Sequence, residues 1–432
     1  MPSVTPLPAA VGSGVPWIGA APGLLRNPTG WFTRQRAAHG DTFLVDALAH
    51  RFFCVFGPLG VSSLYAVPER EASFGLATYT MIRTKVPHEL FADIRNPPHK
   101  LFGNQRVEGY LANLEQAMAA ELDVLGSTGS FDAFAESRRI GHRLGLASWA
   151  GQEAASAAYI EPLINALDRL DTSESFVHPM RTVVTLVTRK AQERKAMAEI
   201  EAIIAKILNN RRRYPDQRPD DFLDTIDDSF ADVAQPRRDQ LVARDVIVLH
   251  LGSQSNLFAA LAWTLVNLLH APEHLAAVVA GDDSLLDQYA YESIRVAQRS
   301  ITMRQVLRPL DFETDQGVYR LDPGVLITTM LSVTNTTADP RLATFDVNHY
   351  DGRTLRLASD LPAKELVSTF GHGSHTCPAQ RFSISVIRTA TRALLDRYEL
   401  TPQFDQPGPL TRQIGGVARA DRPTPVMYRP RP

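Results

Sequence analysis

The run from about Gln240 to His270, stopped by Ala271-Pro272, constrains the fold more than any other stretch of this chain. Proline cannot continue a helix, so the apolar run reads as one helix that ends there. At 1.5 Å per residue it extends ~45 Å, long enough to cross a whole domain, and the rest of the chain must be arranged around it. The most apolar part, Val242 to Leu269, is interrupted by Arg244, Asp245, His250, Gln254 and Asn256. It therefore reads as a buried helix rather than a membrane span. Polar and small residues gather at its middle: Gly252, Ser253, Gln254, Ser255 and Asn256. Such groups must find partners or line a cavity, the simpler alternative being side chains that bond back to their own helix.

A second stretch, Phe370-Gly371-His372-Gly373-Ser374-His375-Thr376-Cys377-Pro378-Ala379, sets a cysteine on a glycine-bracketed loop. Phe382, Val386, Ala390 and Leu394 then recur at helical spacing, and Pro378 suits a first helical turn, which places Cys377 at a helix N-terminus. Unpaired N–H groups and the macrodipole favour a negative sulfur there. Gly371 and Gly373 let the backbone turn tightly and approach a flat ligand. His375 adds a donor close to the sulfur. This is how a chain offers a thiolate to a metal, and the alternative is a structural cysteine on a turn.

Elsewhere the sequence narrows the field by exclusion. Its 432 residues carry 45 basic and 47 acidic side chains, a net charge of −2 that gives no global reason to expect nucleic acid or anionic membrane as a partner. Two cysteines, Cys54 and Cys377, exclude a disulfide framework and suit a reducing cytoplasm. Met1 to Arg26, with several Pro and Gly and no basic segment followed by an unbroken apolar run, reads as neither signal peptide nor membrane anchor. Residues 14–28 read as an extended lead-in and Trp31 to His39 as a short helix. Asp41 to Leu48 and Arg51 to Phe56 read as strands ended by Gly57-Pro58, with Cys54 a core residue. Asn96-Pro-Pro-His-Lys-Leu-Phe-Gly103 opens a helical pattern through Val107, Tyr110, Leu111, Leu114 and Met118. Residues 132–210 are helix-patterned, and Arg211-Arg212-Arg213 reads as a solvated loop. Gln413-Ile-Gly-Gly-Val-Ala418 suggests a tight hairpin tip or an ordinary surface turn. No repeat or low-complexity linker divides the chain. The expectation is one mainly α domain over 1–432, with a small β-rich part near 41–57 and a helical remainder.

The stretch Phe370 to Ala379 resembles the heme-binding loop of the cytochrome P450 superfamily, Phe-Gly-x-Gly-x-(His/Arg)-x-Cys-x-Gly, with Ala379 in place of the last glycine. The middle of the long helix resembles the family's Ala/Gly-Gly-x-Asp/Glu-Thr. Gly252 and Ser253 take the small positions, while Ser255 replaces the acid and Asn256 the threonine. Asn256 within Ser-Gln-x-Asn resembles the branch that holds prostacyclin synthase and the sterol hydroxylases. Glu292-Ser-Ile-Arg295 places a carboxylate and a guanidinium one turn apart, in itself a common exposed pair. In this order it resembles the family's buried Glu-x-x-Arg, whose third partner, usually an Arg, is matched by His349 in Phe345-Asp-Val-Asn-His349.

The resemblance implies a cytochrome P450 fold, mainly α with small β-sheets, in which the long central helix passes over a buried heme b. Cys377 is then the iron ligand. His375, Phe370, Gly371, Gly373 and Ala379 surround the cofactor, and Arg304 pairs with a heme propionate. His99 matches a propionate-binding His or Trp, against the alternative of a surface residue, and Gly103 stands where an Arg is expected. Asn256 and Ser255 take the catalytic positions. Met81, Ile82, Leu251, Gly252, Thr302, Met303 and Val417 line an apolar substrate pocket, and Glu292, Arg295 and His349 are structural. The implied activity is a monooxygenase that inserts one oxygen atom from dioxygen into a small apolar substrate, fed by a ferredoxin and ferredoxin reductase-type donor. The alternatives are an isomerase or dehydratase that rearranges a peroxide or oxidised lipid without dioxygen or reductant, and a heme protein that only binds a ligand.

Overall fold

Thr42–Ala47 and His50–Val55 form an antiparallel hairpin closed by Leu48-Ala49 in the computed structural model, which describes residues 4–12, 18–97, 102, 107–171, 185, 187–217, 219 and 221–432. Both turn residues have positive φ, 52° and 61°, the geometry that lets a two-residue connection follow the strand twist. Strand Leu326–Met330 runs parallel to His50–Val55 and antiparallel to Ile301–Val306. Ala10–Val11 and Ala72–Ser73 complete a six-stranded sheet at its two edges. Successive side chains of a strand point to opposite faces. Phe43, Val45 and Cys54 pack with Trp31, Phe32 and Met330 on one side, while Leu44, Phe53 and Val55 pack with Leu64 and Ile327 on the other. Both faces are covered, which is why these strands read as near-continuous apolar runs. Burial pushes the Cys54 thiol far above its ordinary pKa, as expected of a core residue.

This sheet belongs to the first of two compact units, Met1–Ile82, Tyr291–Cys377 and Gly408–Asp421. The unit also holds a smaller sheet of Val4–Thr5, Gly317–Leu321 and Leu310–Thr314. β-Structure thus extends well beyond 41–57, because Ile301–Val306 and Leu326–Met330 are rich in β-branched residues that fit a pleated surface. The lead-in differs as well: Ala21–Arg26 is a short helix, and the next helix starts at Pro28, capped by the Asn27 side chain.

The second unit comprises Arg83–Ala290, Pro378–Pro407 and Arg422–Pro432 and is dominated by helices. Its long helix spans Arg237–Leu269, 33 residues or ~50 Å. Helix Ala133–Trp149 packs closely on it at Gly141, where a Cβ would sit 2.2 Å from the Phe258 ring. The long helix is the one described element long and apolar enough to cross a membrane by length and composition, and 67% of that stretch is buried within the fold. Helices Ala191–Arg213 and Gln380–Arg397, and a three-stranded sheet of Gly129–Asp132, Pro425–Pro430 and Tyr398–Pro402, complete the frame. Arg211–Arg213 is not a solvated loop but the last turn of a helix. Arg211 is buried there and pairs with Glu153 and Asp221 at 2.6 and 2.7 Å, and Arg212 pairs with Asp239 at 2.7 Å. The described residues are mainly helical.

Candidate functional site

The loop that carries Cys377 is closed by its own backbone. The Cys377 N–H donates to the Phe370 carbonyl at 2.6 Å, and Gly373–His375 forms a single 3-10 turn between them. Gly371 has φ of 79°, and a Cβ there would lie 2.3 Å from the His375 carbonyl oxygen, so only glycine fits. Ala379, by contrast, has φ of −90°, a conformation that tolerates a methyl group without strain. The helix begins at Gln380, so Pro378 lies in the turn before it rather than in its first turn. Cys377 and His375 are half-buried, and Phe370 stacks edge-on against Tyr291 at 5.4 Å.

Residues absent from the sequence reading hold the foot of this loop. The Asn335 side chain, wholly buried, accepts from Ser368 N–H at 2.7 Å and donates to the Ser368 and Arg295 carbonyls at 3.1 Å each. The Ser368 hydroxyl accepts from Gly371 N–H at 3.2 Å, and Tyr65 donates to it at 3.3 Å. The sequence around it, Leu331-Ser-Val-Thr-Asn-Thr-Thr337, is mostly polar and carries no local signal that marks Asn335 as buried.

Asn335 also links the loop to the Glu292–Arg295 pair. Both side chains are fully buried, with two parallel bonds of 2.5 and 2.7 Å between guanidinium and carboxylate. Arg295 donates further to the carbonyls of Asn335, Leu342 and Thr344 at 2.7, 2.8 and 2.9 Å. Glu292 accepts from Asp346 N–H and from His349 Nδ1–H, both at 2.9 Å. Glu292, Arg295 and His349 are therefore brought together, and every strong polar atom of the ion pair is satisfied.

Arg304, 1% exposed on strand Ile301–Val306, is the second convergence. It donates to the carbonyls of Val67, Ala72 and Tyr65 at 2.5, 3.0 and 3.2 Å. Its Nη2 also meets His375 Nε2, so the imidazole accepts there and carries its proton on Nδ1. Burial, and then the Arg304 charge, hold His375 below its ordinary imidazole range, while burial lowers Arg304. Glu69 is the acid nearest Arg304, at 3.7 Å and half exposed.

The middle of the long helix divides by face. Gln254 is buried, and its Oε1 has no hydrogen-bond partner. Ser253 bonds back to the His250 carbonyl at 3.1 Å. Gly252 and Asn256, one turn apart, are exposed, and a Cβ added at Gly252 meets nothing within 4 Å. Leu251 and Ser255 are half-buried. Behind this face runs a chain of hydrogen bonds that the sequence did not suggest. Trp149 Nε1–H donates to His250 Nδ1 at 3.2 Å, His250 Nε2 meets His142 Nδ1 at 2.8 Å, and His142 Nε2 meets Asp168 at 3.1 Å. Since tryptophan only donates and a carboxylate only accepts, both imidazoles must be neutral for each to give one bond and receive one. Burial pulls both histidine pKa values down in the same sense.

Of the expected substrate-lining residues, Met81 and Ile82 end helix Phe74–Ile82, which packs on the strand that carries Thr302 and Met303. All four are half-buried. Val417 is 4% exposed in a loop whose two arms pair antiparallel at Pro409 and Ala420, and within it the Gln413 amide donates to the Gly415 and Val417 carbonyls, each at 3.1 Å. His99 and Gly103 lie outside the described residues. Among the described residues no three His, Cys, Asp or Glu side chains converge as a metal site.

No family profile matches the chain. It is 22% identical over 427 residues to cytochrome P450 monooxygenase pyvB of Aspergillus violaceofuscus, which covers 94% of this chain and 85% of that protein. It is also 22% identical over 495 residues to prostacyclin synthase of Bos taurus, covering 98% of this chain and 94% of that protein.

Proposed function

Because the chain is a relative of the cytochromes P450, a family whose members use heme b, we propose that it is a heme-thiolate monooxygenase that inserts one oxygen atom from dioxygen into a small apolar substrate. In this reading all 432 residues form one cytoplasmic heme protein that receives electrons from a ferredoxin-type donor. One observation carries it: Cys377 sits on a loop that its own N–H bond to Phe370 closes and that admits only glycine at position 371.

The residues fit such a cofactor. A porphyrin fills four positions around its iron, so the protein has to provide one strong ligand rather than a cluster, and Cys377 is that ligand. Two carboxylates beside an apolar macrocycle need fixed cations or donors. Arg304 and His375, held in contact, form such a donor set. The bound heme would supply oxygen chemistry favoured by electron density from the thiolate. The chain's own contribution is placement. Asn256, next to the small exposed Gly252, orients an oxygen or hydroxyl through its amide, and Ser255 adds a hydroxyl beside it. A carboxamide relays protons less readily than an acid–hydroxyl pair, so protons would arrive through ordered water or substrate.

A second reading is favoured by Asn256 together with the likeness to prostacyclin synthase, an isomerase. The chain would then rearrange a peroxide or oxidised lipid without dioxygen or reductant. The two are separated by assaying the purified protein with ferredoxin, reductase and NADH, and in parallel with a fatty-acid hydroperoxide alone. Reductant use coupled to product is expected, and Asn256→Ala should uncouple it into peroxide or water while heme and ligand binding persist. Turnover of the hydroperoxide alone, slowed by Asn256→Ala, would replace the first reading with the second.

A further inference from the structure

Four residues past Arg295, just beyond the end of helix Asp283–Ala297, lies another guanidinium that the fold leaves uncompensated. Arg299 is half-buried as a residue, and its Nε is sealed from solvent without any acceptor. Nη1 donates only to the carbonyls of Val296 and Gln298, at 3.0 and 2.9 Å. No carboxylate of the described residues pairs with it, and burial alone draws its pKa down to about 10. A desolvated cation without a counter-ion is costly, and an anion bound to it would offset that cost.

Its backbone is held firmly. Arg299 N–H donates to the Gly416 carbonyl at 2.7 Å, and its own carbonyl accepts from Gly415 N–H at 2.9 Å. The Gln298 side chain accepts from Arg299 N–H and Ser300 N–H at 3.2 and 3.1 Å, and Ser300 accepts from Gly416 N–H at 3.0 Å. The strand that bears Thr302 and Met303 begins at Ile301, immediately after this knot. The Arg299 backbone is thus fixed just ahead of the strand that carries Thr302 and Met303 and is hydrogen-bonded to the loop that carries Val417.

We propose that Arg299 is a specificity-determining residue that binds a carboxylate, the acid group of an otherwise apolar substrate. The inference rests on the reading given under Proposed function and narrows it from apolar molecules to apolar acids. A carboxylate could equally come from a propionate of the cofactor, although Arg304 and His375 already form a separate donor pair. A carboxylate oxygen would take an N–H from Nη2 as a charge-assisted bond, and Nε would become available to it only where the ligand opens the packing around that atom.

The test uses the heme-loaded protein and reads binding by calorimetry and by the shift of the heme absorption band. The probes are decanoate, hexadecanoate and phenylbutyrate, each against its primary amide. Wild type should prefer at least one acid over its amide, and Arg299→Gln should weaken that acid roughly 10- to 100-fold while leaving the amide unchanged. Arg299→Lys should keep part of the preference, and it serves as the reporter should the glutamine variant not fold. Faster heme loss from Arg299→Gln to apomyoglobin, abolished when the heme is supplied as its dimethyl ester, would place the carboxylate on the cofactor and overturn the substrate assignment. Equal affinities for acids and amides in wild type, with heme loss unchanged in the variants, would overturn both. A preparation without a thiolate-type heme spectrum would instead fail the broader reading, a separate and visible outcome.

Discussion

Arg295 and Arg299 leave the same stretch of chain four residues apart, and the fold treats them in opposite ways. Arg295 is enclosed by a bidentate carboxylate and three carbonyls, so every direction in which its fork points is answered within the protein. Arg299 has two carbonyls, an orphaned Nε and, among the described residues, no acid. A cation answered wholly by the chain is a piece of architecture, whereas one left unanswered is where we propose that a ligand carboxylate binds. The same contrast holds between the neutral His142–His250 pair, complete in itself, and the Arg304–His375 contact, where two groups able to carry positive charge meet with Glu69 the one nearby acid among the described residues.

Removing one side of the complete pair should have the largest effect. Glu292→Gln strands a buried guanidinium and should cost roughly 3 to 5 kcal/mol, seen as poor soluble yield and a much lower Tm. Retention of wild-type melting would mean that the pair is not structural and would erase the contrast with Arg299. A smaller effect is expected from acid. Both His142 and His250 have lowered pKa values in the fold, so below the ordinary imidazole value of ~6.5 the unfolded chain binds more protons than the folded one. Stability should be steady above that pH and fall below it, by up to ~1.4 kcal/mol per pH unit for each imidazole. The charged groups that face the pair, Asp168, Asp171 and Arg138, act mainly on His142. Replacing His142 with Gln should flatten the slope of Tm against pH, and an unchanged slope would refute the assignment. The smallest effect belongs to Arg299→Gln, expected to change stability by less than ~1 kcal/mol, since two modest carbonyl bonds are lost while an unpaired charge is relieved. Destabilisation as large as that of Glu292→Gln would show Arg299 to be architecture too.

The parts legible in the sequence are those whose logic is local. The Cys377 loop, the Glu292–Arg295 spacing and the long helix each announce themselves within ten to thirty residues, because glycine conformation, helical turns and apolar periodicity act at that range. Asn335, by contrast, joins Ser368 and Arg295 across 33 and 40 positions, and His142 meets His250 across 108. No periodicity encodes such pairs, which exist only once helices and strands have packed. Arg211 departs from its sequence pattern for a related reason: a run of three arginines is usually solvated, but here its first member meets two carboxylates, Glu153 and Asp221, that the fold brings to it. The strands at 301–330 fell between, since short β-branched runs are hard to tell from buried helix without their partners.

The central claim is that Cys377 gives its thiolate to a heme iron, and the carbon monoxide difference spectrum of the reduced protein tests it most directly. Wild type should show the red-shifted band diagnostic of thiolate ligation, and Cys377→Ser should lose it while Cys54→Ser keeps it. Absence of the band in heme-reconstituted wild type, or its survival in Cys377→Ser, would contradict the account.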